Sequence, residues 1–291
     1  MKSVGIDIGG TQLRVAIFDE DMRLVEQYKT SNDKELTVEE NLEKLIKFIE
    51  SFEYDYRSIG VGTPGPLNTR LGKILTPPNL PDWWNFNIVD YFEKRTQLKT
   101  TLNNDANLAG LAEAKLGKGR PYKAVYYLTM STGIGGAYIR DGEIVNGSNS
   151  AAGEVYNMII NEKSEPRNGV NRGAVNEQCS GTAAARLASE AYGEDVSAAE
   201  LFKRRSEGDQ IANNIIQEYI VDGMAKCIAN IATVCDPDIF VIGGSVAIHN
   251  PSLLEEIEEK AKEYVIFPDY LRILPAQFGD NAGLIGAALL P

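Results

Sequence analysis

Ser3-Val4-Gly5-Ile6-Asp7-Ile8-Gly9-Gly10-Thr11 opens the chain with an apolar run, one carboxylate inside it, and a glycine pair beside a hydroxyl. Ser3–Ile8 has the make-up of a buried β-strand, and the glycine pair breaks it. Leu13–Phe18 resumes the strand pattern, and Leu24–Lys29 follows the polar turn Asp19-Glu20-Asp21. Val38–Phe52 then changes period. Val38, Leu42, Leu45, Ile46 and Ile49 share one helical face, with Thr37 as N-cap and Glu40 at the capping-box position. Ser58–Val61 is the next buried strand and ends in a rigid turn, Gly62-Thr63-Pro64-Gly65-Pro66. The order β-β-β-α-β predicts an α/β chain on a mixed sheet, unlike the βαβ unit of a dinucleotide-binding domain.

The same opening returns further along. Lys99–Leu102 reads as a strand delivering Asn103-Asn104-Asp105, and Ala106–Lys115 as a helix closed by Gly117 and Gly119. Ala124–Met130 and Gly136–Arg140 flank a second glycine segment, Ser131-Thr132-Gly133-Ile134-Gly135-Gly136, with Asp141-Gly142 as a hairpin turn. Two halves that each begin strand, glycine turn, strand make a weak internal repeat. Gly147–Arg172 is polar loop with a short strand at Val155–Ile160. Thr182–Tyr192, Ala198–Glu207, Gln210–Cys235 and Ser252–Tyr264 carry helical patterns. Ile239–Ile242 is a buried strand into Gly243-Gly244-Ser245, and Leu271–Pro275 a short one. Ala282–Leu289 is a helix of small residues suited to close packing on a sheet. The expected division is a small lobe at 1–115, which the C-terminal helix at 281–291 can rejoin, and a large lobe at 116–280.

Bulk composition narrows the class. At 291 residues, with 43% apolar and 24% charged side chains, the chain is long enough for two lobes with cores. A net charge of −12 lacks the basic face that nucleic acid demands, so no nucleic-acid partner is expected. A nucleotide stays open, because backbone amides and Mg²⁺ hold phosphates without a basic surface. No apolar stretch approaches the ~20 residues of a membrane span, and Asp7 interrupts any signal-type core at the start. Cys179, Cys227 and Cys235 are unevenly spaced and suggest no disulfide framework, so the cytoplasm is the expected compartment. His249 reads as surface loop, and Trp83-Trp84 as lobe packing. No Gly-x-x-x-x-Gly-Lys-Ser/Thr loop is present.

Each glycine segment has a plain alternative. Gly9-Gly10 and Ser131–Gly136 can be tight hairpins, and Gly243-Gly244-Ser245 an ordinary strand-to-helix turn. Together they suggest a held nucleotide, because residues without Cβ let amides approach phosphate. Thr11, Ser131, Thr132 and Ser245 add hydroxyls, and Asp7 can orient Mg²⁺ through water. An acid within Val4–Ile8 is costly unless it has a partner. Asp105 has two compatible readings: an N-cap, or a general base taking a proton from a sugar hydroxyl during phosphoryl transfer.

Taken together, these segments resemble the ROK family of sugar kinases, in the actin-like (ribonuclease H-like) ATPase superfamily, across nearly the whole chain. The resemblance implies a two-lobed actin-like α/β fold with mixed sheets, ATP and Mg²⁺ as cofactors, and a hexose as substrate. Asp7, Gly9, Gly10 and Thr11 correspond to the first phosphate loop, and Ser131, Thr132, Gly133, Gly135 and Gly136 to the second. Asp105 matches the catalytic base, Asn104 a sugar-hydroxyl ligand, and Gly65 the sugar-facing turn. Gly243, Gly244 and Ser245, with Gly279-Asp280-Asn281-Ala282-Gly283, look like the adenosine side.

The departures bear on the sugar. Typical members carry Gly-Glu-x-Gly-His, a Cys-rich zinc motif, and then a second Glu. Here Glu154 is kept, and Asn157 stands where the zinc-binding His would be. Glu165-Pro166-Arg167-Asn168-Gly169-Val170-Asn171-Arg172-Gly173 replaces the cysteines. The second Glu position holds Asn176, with Glu177 one residue on, and either can be the sugar ligand. The expectation is a zinc-free kinase acting on glucose, N-acetylmannosamine or a β-glucoside, working as a homodimer. The alternatives are a sugar-sensing ROK repressor, whose extra helix-turn-helix has no room before Ser3, and an actin-like ATPase without a sugar.

Overall fold

The computed structural model describes residues 1–167 and 169–290; Asn168 and Pro291 lie outside the described residues. Its contacts divide the chain into two compact units. Unit 1 holds Met1–Ala112, Ile144–Ala152 and the chain from Asp280 onward, and unit 2 holds Glu113–Glu143 and Gly153–Gly279.

Unit 1 starts with an antiparallel meander of β1 (Lys2–Ile8), β2 (Gln12–Phe18) and β3 (Leu24–Ser31). α1 (Val38–Glu50) leads to β4 (Tyr56–Thr63), a small hairpin of β5 (Leu67–Asn68) and β6 (Lys73–Ile74), and α2 (Ile88–Thr96). β7 (Thr100–Asn104) then runs straight into α3 (Asp105–Lys115). The sheet order is β3-β2-β1-β4-β7, with β4 and β7 parallel to β1. The crossovers a parallel pairing needs are α1 and α2. The expected capping box closes α1: the Thr37 hydroxyl accepts the Glu40 amide at 3.2 Å, and Glu40 Oε2 accepts the Thr37 amide at 2.8 Å. Gly62↔Asn103 and Thr63↔Asn104 continue the parallel ladder, so both strands run past their expected ends.

Unit 2 repeats the plan. β8 (Ala124–Met130) pairs antiparallel with β9 (Ile134–Arg140), which neighbours β10 (Glu143–Ile144). Helices α4 (Asn176–Cys179), α5 (Gly181–Tyr192), α6 (Ala198–Ser206), α7 (Gln210–Ile215) and α8 (Asp222–Cys235) follow. Then come β11 (Ile239–Gly243), α9 (Ser245–His249), α10 (Pro251–Lys262) and β12 (Ile273–Pro275). The order β10-β9-β8-β11-β12, with β11 parallel to β8 and to β12, matches that of the first sheet. The last turn of α3 carries Glu113, a fully buried side chain with no ion pair among the described residues. Its charge is met by the amides of Gln277 at 2.6 Å, Phe278 at 2.9 Å and Lys118 at 3.2 Å.

Several expectations are corrected. The strand at Val155–Ile160 is only a bridge, Ile159↔Ala174, because its backbone groups pair with a stretch that turns at once into α4. The helix at Gln210–Cys235 is interrupted by a π-helical turn, Ile216–Val221, which apolar periodicity cannot reveal. Trp83 is buried, but Trp84 is exposed and bonds the Pro77 carbonyl through its indole N–H. His249 is exposed, as expected, but ends the short helix α9.

α11 (Ala282–Ala288) returns to unit 1 and lies on β1 and β4. The approach is close enough that only glycine fits. A Cβ at Gly60 would fall 1.8 Å from the Ala287 carbonyl oxygen, and one at Gly286 1.8 Å from that of Leu108. Leu284 and Ala288 join Ala16 and Phe18 in a small apolar cluster there.

Gly60→Ala and Gly286→Ala should each lower the stability of unit 1 by about 1–3 kcal/mol or more, as overpacking does. Gly283→Ala, whose Cβ would meet nothing within 4 Å, should be neutral or slightly stabilising. Urea-unfolding midpoints of the three variants check this, and equal midpoints would refute the close-packing account.

Candidate active site

Asp7 does have the partner that a strand-embedded acid requires. In the β1–β2 register it stands opposite Arg14. Arg14 Nε and Nη2 donate to Asp7 Oδ2 at 2.9 and 2.5 Å, and Nη1 donates to the Asp280 carbonyl at 2.9 Å. Asp7 Oδ1 accepts from no protein donor among the described residues. The following turn is closed by the Gly9 amide on the Gln12 carbonyl at 2.8 Å. Asn32 fastens it from outside, its amide on the Thr11 carbonyl and its Nδ2 on the Gly9 carbonyl, both at 3.0 Å. The amides of Gly10 and Thr11 meet no acceptor among the described residues, and Thr11 is exposed.

Asp105 is the first residue of α3. Asn104 Oδ1 accepts the amides of Ala106 at 2.9 Å and Asn107 at 3.4 Å, and Asp105 Oδ1 accepts that of Ala106 at 2.8 Å, so the capping expected of Asp105 is shared with Asn104. The Asn104 Nδ2 lies 3.5 Å from where a Cβ on Gly65 would sit. Asn103 supports the junction from below. Its Oδ1 accepts the Asn104 amide and Asn107 Nδ2, both at 2.8 Å, and its Nδ2 donates to Asn146 at 3.0 Å. Asp105 is itself open to water by surface area, yet protein crowds its carboxyl. That loss of hydration, countered by the Ala106 amide and reinforced by the charge of Asp7, pushes its pKa up to about 6.

In unit 2 the turn of the second glycine segment is Ser131-Thr132-Gly133; Gly135 and Gly136 belong to β9. α5 fastens it: the Gly181 amide donates to the Ser131 carbonyl at 2.8 Å, and the Thr182 hydroxyl to the Thr132 carbonyl at 2.9 Å. The Thr132 and Gly133 amides meet no acceptor among the described residues. The third segment comes to the same place, since the hydroxyls of Ser131 and Ser245 are 3.2 Å apart. Gly244, with φ 89°, caps α9 there, and Gly243 ends β11.

Glu154 and Asn176 of the sugar expectation bond the strand that leaves this turn. Glu154 Oε1 accepts the Gly136 amide at 3.3 Å. Asn176 Oδ1 accepts the Ile134 amide at 3.0 Å, and its Nδ2 is 3.3 Å from Glu177 Oε1. Glu177 is buried, and Asn157 is occupied on its Oδ1 by the Asn171 amide at 2.7 Å. Asn168 lies outside the described residues.

Sequence reasoning missed Arg14, Asn32, Asn103, Asn107 and Thr182. Arg14 was within reach: counting back across the turn pairs it with Asp7. The others fasten loops through backbone groups, a role with no sequence period.

The donor chemistry separates the two metals. A carboxylate with one uncommitted oxygen, Asp7, fits Mg²⁺, which keeps most of its waters and binds few protein groups. The zinc of typical ROK members finds no fit. Asn157 is engaged by backbone, Cys179 and Cys227 are buried in the apolar core, and the Cys179 thiol donates to the Tyr219 carbonyl at 3.2 Å.

A family model described as the ROK family matches residues 3–291. The glucokinase of Thermotoga maritima is 28% identical, over 99% of this chain and 96% of its own. The N-acetylmannosamine kinase of Salmonella heidelberg is 28% identical, over 100% of this chain and 98% of its own. The solved ROK hexokinase of Thermus thermophilus superposes with a TM-score of 0.91 at 32% identity, covering 99% of this chain and 97% of that one. The actin-like ATPase architecture of two mixed sheets with the same strand order agrees with that likeness.

The raised pKa of Asp105 makes its ionised form a cost to folding, fully present above about pH 6 and relieved as the pH falls through 6 towards the unfolded value of about 4. Asp105→Asn should therefore melt slightly higher than the parent at pH 8, with the gap closing by about pH 4. Melting temperatures across that range test it, and a gap that does not change with pH would contradict the assignment.

Proposed function

This chain belongs to the ROK family, and from that premise we propose that it is an ATP-dependent sugar kinase, passing the γ-phosphoryl group to the 6-hydroxyl of a hexose or hexose derivative. The observation that carries the reading is Asp105. It stands at the head of a helix as an exposed residue, and the lost hydration of its carboxyl lifts its pKa to about 6. A base of ordinary carboxylate strength accepts a hydroxyl proton poorly, and the lift improves the match near neutral pH. The helix terminus and the Ala106 amide still favour the ionised form needed to start.

Phosphoryl transfer asks for positioning and charge neutralisation beyond that base. The unengaged amides of Gly10, Thr11, Thr132 and Gly133 would hold the polyphosphate, with the hydroxyls of Thr11, Ser131 and Thr132. Gly243, Gly244 and Ser245 would seat the adenosine side. Mg²⁺, held through water by Asp7 and by the phosphates, would neutralise their charge.

On the sugar side, Asn104 is left with its Nδ2 as donor once its oxygen has capped α3. Glu154 and Asn157 Nδ2 are the further proposed sugar ligands, and Gly65 the proposed sugar-facing turn. Between the two remaining candidates the hydrogen bonds favour Glu177. Asn176 has its oxygen on the Ile134 amide and its amide group on Glu177, and so acts as a brace. Glucose and N-acetylmannosamine are the substrate candidates from the relatives' names, and a β-glucoside from the family resemblance. Three free cysteines suit the cytoplasm, and a homodimer is the proposed assembly.

ADP release should rise with at least one of glucose, fructose, mannose, N-acetylmannosamine, N-acetylglucosamine or cellobiose; silence with all six would sink the kinase reading. With the active sugar, Asp105→Asn should lower turnover by about 10²–10⁴-fold. The parent's kcat/KM should fall about tenfold per pH unit below about 6, as the base protonates. The variant should lose that limb, and near-parental turnover would remove Asp105 from the mechanism.

A further inference from the structure

The segment from Tyr156 to Asn176 doubles back on itself, and polar bonds fasten it where the family's zinc motif would stand. Gln178, only 1% exposed, sits at the crossing. Its Oε1 accepts from Asn161 Nδ2 at 2.8 Å, and its Nε2 donates to the Gly173 carbonyl at 3.0 Å. The Gly173 amide in turn donates to the Ser164 hydroxyl at 3.0 Å and to the Ser164 carbonyl at 3.2 Å. No side chain is possible at that point. Gly173 has φ 75°, and a Cβ would fall 1.6 Å from the Asn161 carbonyl oxygen. Towards the tip, Asn157 Oδ1 holds the Asn171 amide. At the base, the Asn176 amide donates to the Tyr156 carbonyl at 3.1 Å, while its side chain braces Ile134.

We propose that this carboxamide clasp, centred on Gln178, does for the sugar-reading loop what a bound metal does in zinc-bearing relatives, and that Gln178 is a positioning residue for Asn157 and Glu177. The proposal rests on the kinase reading for the identity of the ligand, but not for the clasp. A carboxamide suits the task because it donates on one side and accepts on the other, tying both limbs of the loop with one buried group. Removing it leaves Asn161 Nδ2 without its acceptor and the Gly173 carbonyl with the Ile160 amide alone, which loosens the loop without touching the sugar. Because Asn176 joins the loop base to the second glycine turn, the clasp also fixes the sugar side relative to that turn.

The test uses Gln178→Met, close in length but unable to make either bond, and Asn161→Ala, a milder cut at the loop's rim. Limited proteolysis within 161–172 should run about tenfold faster in Gln178→Met and less so in Asn161→Ala. Sugar KM should rise about tenfold in Gln178→Met, with kcat within about threefold and nucleotide affinity measured without sugar unchanged. A zinc chelator should leave loop cleavage of the parent protein as it was. Unchanged cleavage in the variants, unchanged sugar KM, or a parent loop loosened by the chelator would each overturn the proposal. Should Gln178→Met not fold, Asn161→Ala decides by the same measurements. Should no sugar stimulate the parent protein, the kinase reading fails by itself, and the cleavage rates still decide the clasp.

Discussion

β7 meets α3 without a linking residue, and the proposed chemistry hangs on that junction. Asn104 ends the strand and Asp105 begins the helix, so the backbone leaves the carboxyl little freedom of direction. Asn104 reaches the amides of both Ala106 and Asn107, while Asp105 meets the amide of Ala106 with one oxygen. Asn103, 4% exposed, then ties the strand end to Asn107 on the helix and to Asn146 on a returning loop. Three adjacent side chains thus divide support, capping and the proposed proton transfer among themselves. A strand-to-helix joint of this kind is stiff, and stiffness is what a general base needs.

Both glycine turns solve one geometrical problem in the same way. Each closes a hairpin beside the central strand of its sheet, and each is pinned from outside by side chains or amides on its carbonyls. The pinning uses carbonyls and spares amides, leaving two uncommitted donors per turn. Donors fixed in place before a ligand arrives need no reorganisation when charge appears.

The architecture was legible because it is written in runs and breaks: the strand ahead of each glycine pair, the helical face of α1, and its capping box. The bounds of β4 and β7 were not, since Gly62, Thr63, Asn103 and Asn104 look like turn residues and become strand only through pairing with each other. The π-helical turn at Ile216–Val221 was hidden for a related reason, as an extra residue per turn leaves the apolar pattern nearly intact. Of the candidate site, the residues named from the sequence were chosen for their chemistry. Those that hold them, such as Asn32, Asn103 and Gln178, were missed, because a polar side chain bonded to distant backbone has no local signature. Asn157 and Asn176 carry a second task that their types did not suggest, since the oxygen of each accepts a backbone amide.

α11 brings a matter of timing. Its glycine-lined bed on β1 and β4 belongs to the first residues of the chain, while the helix itself comes after all of unit 2. On a ribosome, the residues of unit 2 from Glu113 to Gly279 emerge before the helix that covers the unit 1 sheet. The first unit to begin is therefore the last to be completed, and the sheet face that carries Gly5, Ala16, Phe18 and Gly60 must wait through most of synthesis for its cover. Any cell making this protein needs that interval to be short, or shielded.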